Sequence, residues 1–298
     1  MELVNSNYIL FWFCIIGLCL GSFFNVVILR SLSDESIVFP PSKCPKCGER
    51  LKPWHNIPVI SYLFLRGKCA FCKEKISLQY PIIEIITMGL FALCFIKFGL
   101  TWKCLFAIIL SSSLLIMTMT DLKEKLIDCN IAIGFGIVGI IYNWFVNGVL
   151  LESIYGLLLG IILMELIARS GYLFTNDRAF GEGDTYIAGA LGACFGLSGL
   201  IQILFNTLIV SMIFIIPMFL YKQYKNKNKA ICILFIIFII SALAFKTISQ
   251  DWYFILAIII SGLWLLISIL KNLKQDSCPM YLPLVPAFSI GALYFLFI

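Results

Sequence analysis

The chain has few charged residues and almost no histidine, and both shortages narrow what it can be. Only 13% of its 298 residues are charged, against about 25% in soluble proteins, whereas 61% are hydrophobic and the mean hydropathy is +1.00. This composition excludes an ordinary soluble protein and indicates an integral membrane protein. Because the single histidine is His55, in a polar segment, an HExxH zinc protease and an intramembrane serine–histidine site are also excluded.

Basic residues are missing from the start of the chain. The apolar run from Tyr8 to Leu29 has no basic residue before it and Arg30 directly after it, which is the wrong polarity for a cleaved signal peptide. We therefore expect a first transmembrane helix whose N-terminus lies outside the cell and whose C-terminal end lies in the cytosol.

Apolar segments close to the roughly 20 residues that cross a bilayer recur along almost the whole chain. They predict an all-α polytopic membrane protein with about 8 to 10 transmembrane helices embedded in the lipid bilayer. The candidate segments, some of which could be half-helices, are 8–29, 81–98, 103–120, 130–147, 150–168, 185–198, 200–221, 230–246, 253–270 and 282–298. Lysine and arginine accumulate in alternate loops, which we assign to the cytosol. Charges placed in this way do not indicate binding to nucleic acid.

Residues 30–80 interrupt the apolar pattern with a polar segment that contains two CxxC pairs. The pairs are Cys44 with Cys47 and Cys69 with Cys72, a spacing typical of a structural Zn²⁺ site whose four thiolates leave no open position for catalysis. Two disulfides are the alternative, which a reducing cytosol disfavours. The predicted division is a first transmembrane helix (1–29), a small cytosolic zinc-ribbon-like domain (30–80) and a polytopic membrane domain (81–298).

Two aspartates stand at the ends of apolar runs, where inserting a charged group costs about 2.5 to 3.5 kcal/mol. Asp121 ends one run, and Asp184 begins another within Gly181-Glu182-Gly183-Asp184. The loop charges place both at the cytosolic face. Two carboxyl groups brought close together share one proton, so that one activates water and the other protonates the substrate, as in aspartyl proteases. We expect Asp121 and Asp184 to be catalytic, with Gly181 and Gly183 letting a peptide approach Asp184.

Structural interpretations of both aspartates remain open. Asp184 could only cap a helix that begins near Thr185. Asp121 could belong to a solvated interfacial cluster, whose other members would be Lys123, Glu124, Lys125 and Asp128. Two other functions are also possible: a proton-coupled transporter with a regulatory zinc ribbon, and a scaffold whose CxxC domain docks a cytosolic partner. A transporter relay would favour acidic residues staggered through the bilayer, whereas these two share one face.

Several segments, in order along most of the chain, resemble the type IV prepilin peptidases, the bifunctional leader peptidases and N-methyltransferases of bacterial membranes. The matching segments are Gly21–Ile28, Asn56–Tyr62, Arg66–Cys69, Tyr80–Glu84, Asp121 with Asp128, Gly181–Asp184 followed by Ala190–Ala193, and Leu282–Phe288. Three positions depart from the family pattern: Ile127 stands where proline is frequent, Tyr186 where lysine is usual and Val285 where glycine is common.

This resemblance implies that the protein cleaves a short, basic leader from prepilin or pseudopilin precursors at the cytosolic face of the bacterial cell membrane, with Asp121 and Asp184 as the catalytic pair. It also implies methylation of the newly exposed α-amine with S-adenosylmethionine, which the CxxC domain fits. The sequence does not identify the residues that bind S-adenosylmethionine, and no glycine-rich nucleotide loop of the usual kind is present. The segment from about 222 to 281 is longer than the family needs, and we predict no function for it.

Overall fold

The computed structural model describes residues 2–31, 41–170, 181–225 and 284–298 with residues 36, 38, 39, 172, 233 and 237. These residues are mostly helical, except for the cysteine-containing segment, which consists largely of turns with two isolated β-bridges. The helices are α1 (Glu2–Ser31), α2 (Ile60–Phe64), α3 (Gln79–Phe98), α4 (Trp102–Glu124), α5 (Cys129–Tyr142), α6 (Leu150–Ser170), α7 (Glu182–Lys225) and α8 (Val285–Phe297). Within the described ranges, six helical segments are long and apolar enough to cross a membrane, and α8 is shorter. The predicted all-α membrane fold is confirmed. The predicted span 253–270, and the span 230–246 apart from residues 233 and 237, lie outside the described residues.

Helices α1 and α3 pack against each other in opposite directions. Near one end the rings of Phe13 and Phe95 lie 4.8 Å apart, and near the other the Nδ2 group of Asn25 donates to the Tyr80 carbonyl over 3.2 Å. Between these contacts, Gly21 lies so close to α3 that an added Cβ would be 2.7 Å from a backbone Cα atom. The cysteine-containing segment therefore joins two helix ends that lie on the same side of the bundle.

Small residues also set the spacing between α6 and the first part of α7. A Cβ atom on either Gly156 or Gly192 would overlap the backbone of the other residue, and one on Gly160 would overlap Ala188. Helices in lipid associate through such close approach of small residues, because lipid offers no hydrophobic driving force between them.

Helix α7 consists of two arms that meet at Gly196. Gly196 has φ 70° and ψ −173°, a conformation that essentially only glycine adopts. Gly199 packs on the ring of Phe295, whereas Thr207 packs on Gly291, one turn nearer to the start of α8. The second arm consequently runs back along α8, and the predicted spans 185–198 and 200–221 correspond to the two arms.

These directions bring several helix ends to the side of the bundle that carries Asp121 and Asp184, here called the aspartate face. They are the ends of α1, α4 and α6 and the beginnings of α3, α5, α7 and α8. At the opposite side the rings of Phe98 and Phe297 stack at 5.9 Å, and those of Phe106 and Tyr142 at 4.4 Å. The main apolar core lies between these two sides, among α4, α5, α7 and α8.

Candidate active site

Asp121 lies in the last turn of α4 and is only 1% exposed. The backbone N–H of Val285, the first residue of α8, donates to its Oδ2 atom over 3.2 Å. Such a donor is available because the first N–H groups of a helix have no partner within the helix. The positive charge of Lys125 also acts on this carboxyl group. The interpretation of Asp121 as one member of a solvated surface cluster is therefore wrong.

Asp184 lies in the first turn of α7 and is 4% exposed. Because α7 begins at Glu182 rather than near Thr185, Asp184 is inside the helix, and the interpretation of it as the residue that caps a helix from outside is wrong. Its carboxyl group accepts a hydrogen bond from the backbone N–H of Gly181, as the third residue of a capping box does. The charge of Asp121 acts on Asp184, so the two buried carboxyl groups lie near each other.

The loop between α4 and α5 closes over the start of α7. Gly183 faces Ile127 so closely that an added Cβ would lie 2.5 Å from the Cβ of Ile127. The side chain of Asp128 caps α5 by accepting a 2.9 Å hydrogen bond from the Asn130 backbone. Gly183 thus has a packing role at the aspartates, in addition to the substrate access that the sequence predicts for it.

Each of the two CxxC pairs forms a turn, and the two turns have the same backbone hydrogen-bond pattern. The N–H of Cys44 donates to the Glu49 carbonyl over 2.9 Å, and the N–H of Cys69 donates to the Glu74 carbonyl over 2.8 Å. In each turn the residue after the second cysteine has a left-handed backbone, with φ 73° at Gly48 and 60° at Lys73. The two turns present their cysteines to one point.

The four predicted ligands come together in a cluster that can hold a metal ion. The Sγ atoms of Cys44, Cys47, Cys69 and Cys72 all lie within 4.8 Å of one another. Those of Cys44 and Cys72 are 3.9 Å apart, far longer than the roughly 2.05 Å of a disulfide bond. Hydrogen bonds from the backbone N–H groups of Cys72 and Phe71 lower the pKa of the Cys69 thiol to about 7, which favours the thiolate that binds metals.

Comparison with known proteins places the chain in a family. The model of the bacterial peptidase A24 N-terminal domain matches residues 15–98, and that of the type IV leader peptidase family matches residues 108–216. A prepilin leader peptidase/N-methyltransferase of Neisseria gonorrhoeae is 34% identical over 229 residues, which cover 68% of this chain and 80% of that protein. The chain belongs to the type IV leader peptidase family.

Two other members of the leader peptidase family show the same degree of similarity. A prepilin leader peptidase/N-methyltransferase of Pseudomonas aeruginosa is 30% identical over 222 residues, covering 66% of this chain and 77% of that protein. One of Myxococcus xanthus is 34% identical over 191 residues, covering 64% of this chain and 57% of that protein. No solved structure matches the chain.

Sequence reasoning missed the contribution of α8 to the candidate site of this leader peptidase family member. It identified Val285 only as a departure from the family pattern, whereas the structure uses its backbone N–H on Asp121. Pro286 could have indicated this contribution, because proline favours the first turn of a helix. A helix that starts there has N–H groups without a partner inside the helix, and these are available to a carboxylate. Ser289 then holds α8 against α4 through a 2.7 Å hydrogen bond with Thr118.

Proposed function

We propose that this protein is a membrane-embedded aspartyl endopeptidase that removes the leader from type IV prepilin or pseudopilin precursors, with Asp121 and Asp184 as its catalytic pair. One observation carries the proposal: Asp121, at the end of α4, and Asp184, at the start of α7, are both buried at one face of the bundle. Membership of the leader peptidase family supports the substrate class.

The pair supplies both halves of acid–base catalysis. Two carboxyl groups brought together in a buried site share one proton, because ionising both there is costly. The ionised carboxylate takes a proton from a water molecule, whose oxygen attacks the scissile carbonyl carbon, while the protonated carboxyl group donates to the carbonyl oxygen. The C–N bond then breaks, and the leaving amine takes a proton from the pair. The Val285 N–H fixes one oxygen of Asp121 for this exchange.

The second proposed activity is methylation of the new N-terminal amine. The curated relatives are named as N-methyltransferases as well as peptidases, and the family resemblance implies the same cosubstrate for this chain. S-adenosylmethionine would supply the methyl group, which would pass from its sulfonium sulfur to the unprotonated amine of the processed protein. A C–N bond would form as the C–S bond breaks, and S-adenosylhomocysteine and one proton would be released.

We propose that the cysteine cluster binds Zn²⁺ and that the ion is structural. Two thiolates on a tetrahedral zinc with bonds of about 2.3 Å lie roughly 3.8 Å apart, close to the 3.9 Å between Cys44 and Cys72. Four cysteine ligands complete the coordination shell, so the ion has no position for a catalytic water.

The proposed location is the bacterial cell membrane, with the N-terminus outside and the aspartate face in the cytosol, where the basic loops lie. The transporter alternative has no support. Asp121, Asp184 and the buried Glu84 all lie toward the same face, whereas a relay needs groups spaced across the bilayer.

Mass analysis of a prepilin-like substrate tests both activities together. Membranes that contain the wild-type chain should remove the leader and add one methyl group, whereas Asp121→Asn and Asp184→Asn should leave the precursor intact. Cleavage without methylation would contradict the proposed methyltransferase activity and leave the proposed peptidase activity standing. Cleavage by either aspartate variant at the wild-type rate would overturn the catalytic pair.

A further inference from the structure

A second buried polar cluster lies between α1 and α3. Asn25 is fully buried, and its Nδ2 group donates to the carbonyl oxygens of Gly21 and Tyr80, each over 3.2 Å. Because both N–H donors are used, the orientation of the amide is fixed. Its Oδ1 atom is buried and has no hydrogen-bond partner in the described part of the chain. Unpaired buried acceptors of this kind are uncommon in folded proteins.

Glu84 lies one helical turn after Tyr80 and is 5% exposed. Its Oε2 atom accepts a 2.7 Å hydrogen bond from the backbone N–H of Val59, and the hydroxyl group of Ser22 also donates to the carboxyl group. Both donors are neutral, and no ion pair joins Glu84 to another described residue. In its ionised form Glu84 therefore has no cationic partner among the described residues, and a positively charged ligand would supply one.

The donor from Val59 is held in a strained turn. Val59 has φ 59° and ψ −47°, which a β-branched residue rarely adopts, and the turn is closed by a hydrogen bond from the Ile60 N–H to the Pro58 carbonyl. Strained backbone of this kind occurs most often where ligands bind. The turn fixes the position of the Glu84 carboxyl group from the side of the cysteine domain.

The cluster is separate from the aspartate pair. Phe24 and Ile83, the chain neighbours of Asn25 and Glu84, belong to a small apolar cluster that also contains Ile116 of α4. Ile116 precedes Asp121 by little more than one turn of that helix. Both polar sites therefore lie toward the same face, with apolar side chains between them.

We propose that Asn25 and Glu84 bind a primary ammonium group of a substrate in the methyl-transfer reaction, either the N-terminal ammonium of the processed pilin or the ammonium of S-adenosylmethionine. The inference rests on the proposed methyltransferase function. An ammonium group has three N–H donors and one positive charge, which satisfies Oδ1 of Asn25 and pairs the Glu84 carboxylate. Ca²⁺ would require six to eight oxygen ligands, more than these two side chains provide.

Binding of matched probes to the full-length protein in lipid nanodiscs tests the proposal. One pair is a processed-pilin peptide with a free or an acetylated N-terminus, and the other is S-adenosylhomocysteine and methylthioadenosine, which lacks the ammonium and carboxylate groups. The wild-type protein should bind the ammonium-bearing member of one pair more tightly than the other member of that pair. Glu84→Gln, which keeps an acceptor for the Val59 N–H, should reduce that preference about thirtyfold, the effect of losing one charge of a buried pair.

Two further variants separate binding from folding. Asn25→Leu should weaken the same probe about tenfold, through loss of a hydrogen bond to a charged group. Thr87→Val is the matched control, because Thr87 is buried one turn further along α3 and its hydroxyl group donates only to the Ile83 carbonyl of its own helix. It should bind every probe as wild type does.

The probe pair that responds identifies the source of the ammonium group. No preference for an ammonium in wild type, or equal binding by wild type, Glu84→Gln and Asn25→Leu, would overturn the proposal and leave a structural clamp filled by water. Leader cleavage and methyl addition by the same wild-type nanodiscs are measured in parallel, so that failure of the proposed function is recognised separately.

Discussion

The backbone N–H of Val285 donates to Oδ2 of Asp121 although the two residues are 164 positions apart in the sequence. The contact makes the beginning of α8 part of the candidate active site. It also gives the N–H group of the first residue of α8 a partner, which it lacks within its own helix.

Removing this N–H should impair catalysis more than removing the side chain. Val285→Pro deletes the donor at the first position of α8, where no hydrogen bond within the helix depends on it, whereas Val285→Ala keeps it. We expect Val285→Pro to slow leader cleavage about tenfold, through loss of a hydrogen bond to a charged group, and Val285→Ala to cleave at nearly the wild-type rate. Thermal unfolding of both variants shows whether a slower rate reflects only a less stable fold.

The contact between Gly183 and Ile127 should be visible as coupling between two substitutions. Gly183→Ala adds a methyl group 2.5 Å from the Ile127 Cβ and should both destabilise the protein and slow cleavage. Ile127→Ala removes the obstructing atoms, so the double variant should recover part of the loss, with a coupling energy of about 0.5–3 kcal/mol. Strictly additive effects on the unfolding free energy would show that the two residues do not touch.

Metal content should depend on the four clustered cysteines and on no cysteine of the membrane helices. Purified wild type should contain one zinc ion per chain by elemental analysis, and Cys44→Ser with Cys72→Ser should contain almost none. Cys19→Ser is the control, because Cys19 is exposed on α1 and lies outside the cluster. Zinc that persists in the double variant, or that is absent from wild type, would contradict the assignment.

The packing of α6 on α7 should be intolerant of one added methyl group. Gly156→Ala places a Cβ on the Gly192 backbone and should lower the unfolding free energy by about 1–3 kcal/mol. Gly134→Ala is the control on α5, where an added Cβ meets no atom within 4 Å, and it should raise stability by about 0.5–1 kcal/mol. Thermal unfolding in one detergent compares the two directly.

Features encoded locally were predictable from the sequence. The apolar length of the spans and the basic loops gave the all-α membrane fold, and the CxxC spacing identified Cys44, Cys47, Cys69 and Cys72, which the structure brings together. Each of these signals is contained within a short stretch of chain, so no tertiary contact is needed to recognise it.

Features that depend on packing were not predictable. The hydrogen bond from Val285 to Asp121 and the contact of Gly183 with Ile127 join distant segments, and no local pattern encodes them. The start of α7 was misplaced because an aspartate can stand before a helix or in its first turn, and the sequence favours both positions. The start of α7 at Glu182 and the hydrogen bond from the Gly181 N–H show that Asp184 lies in the first turn.

The cleavage rate of a prepilin substrate by purified protein in nanodiscs tests the central claim most directly, with Asp121→Asn, Asp184→Asn and Asp128→Asn compared under one set of conditions. Asp128 is the matched control, since it caps α5 and asparagine caps equally well. We predict that the first two variants lose about 10²–10⁴-fold in rate, the contribution expected of a positioned acid or base, while Asp128→Asn remains close to wild type. Retention of the wild-type rate by Asp121→Asn or Asp184→Asn, in protein of unchanged thermal stability, would contradict the account.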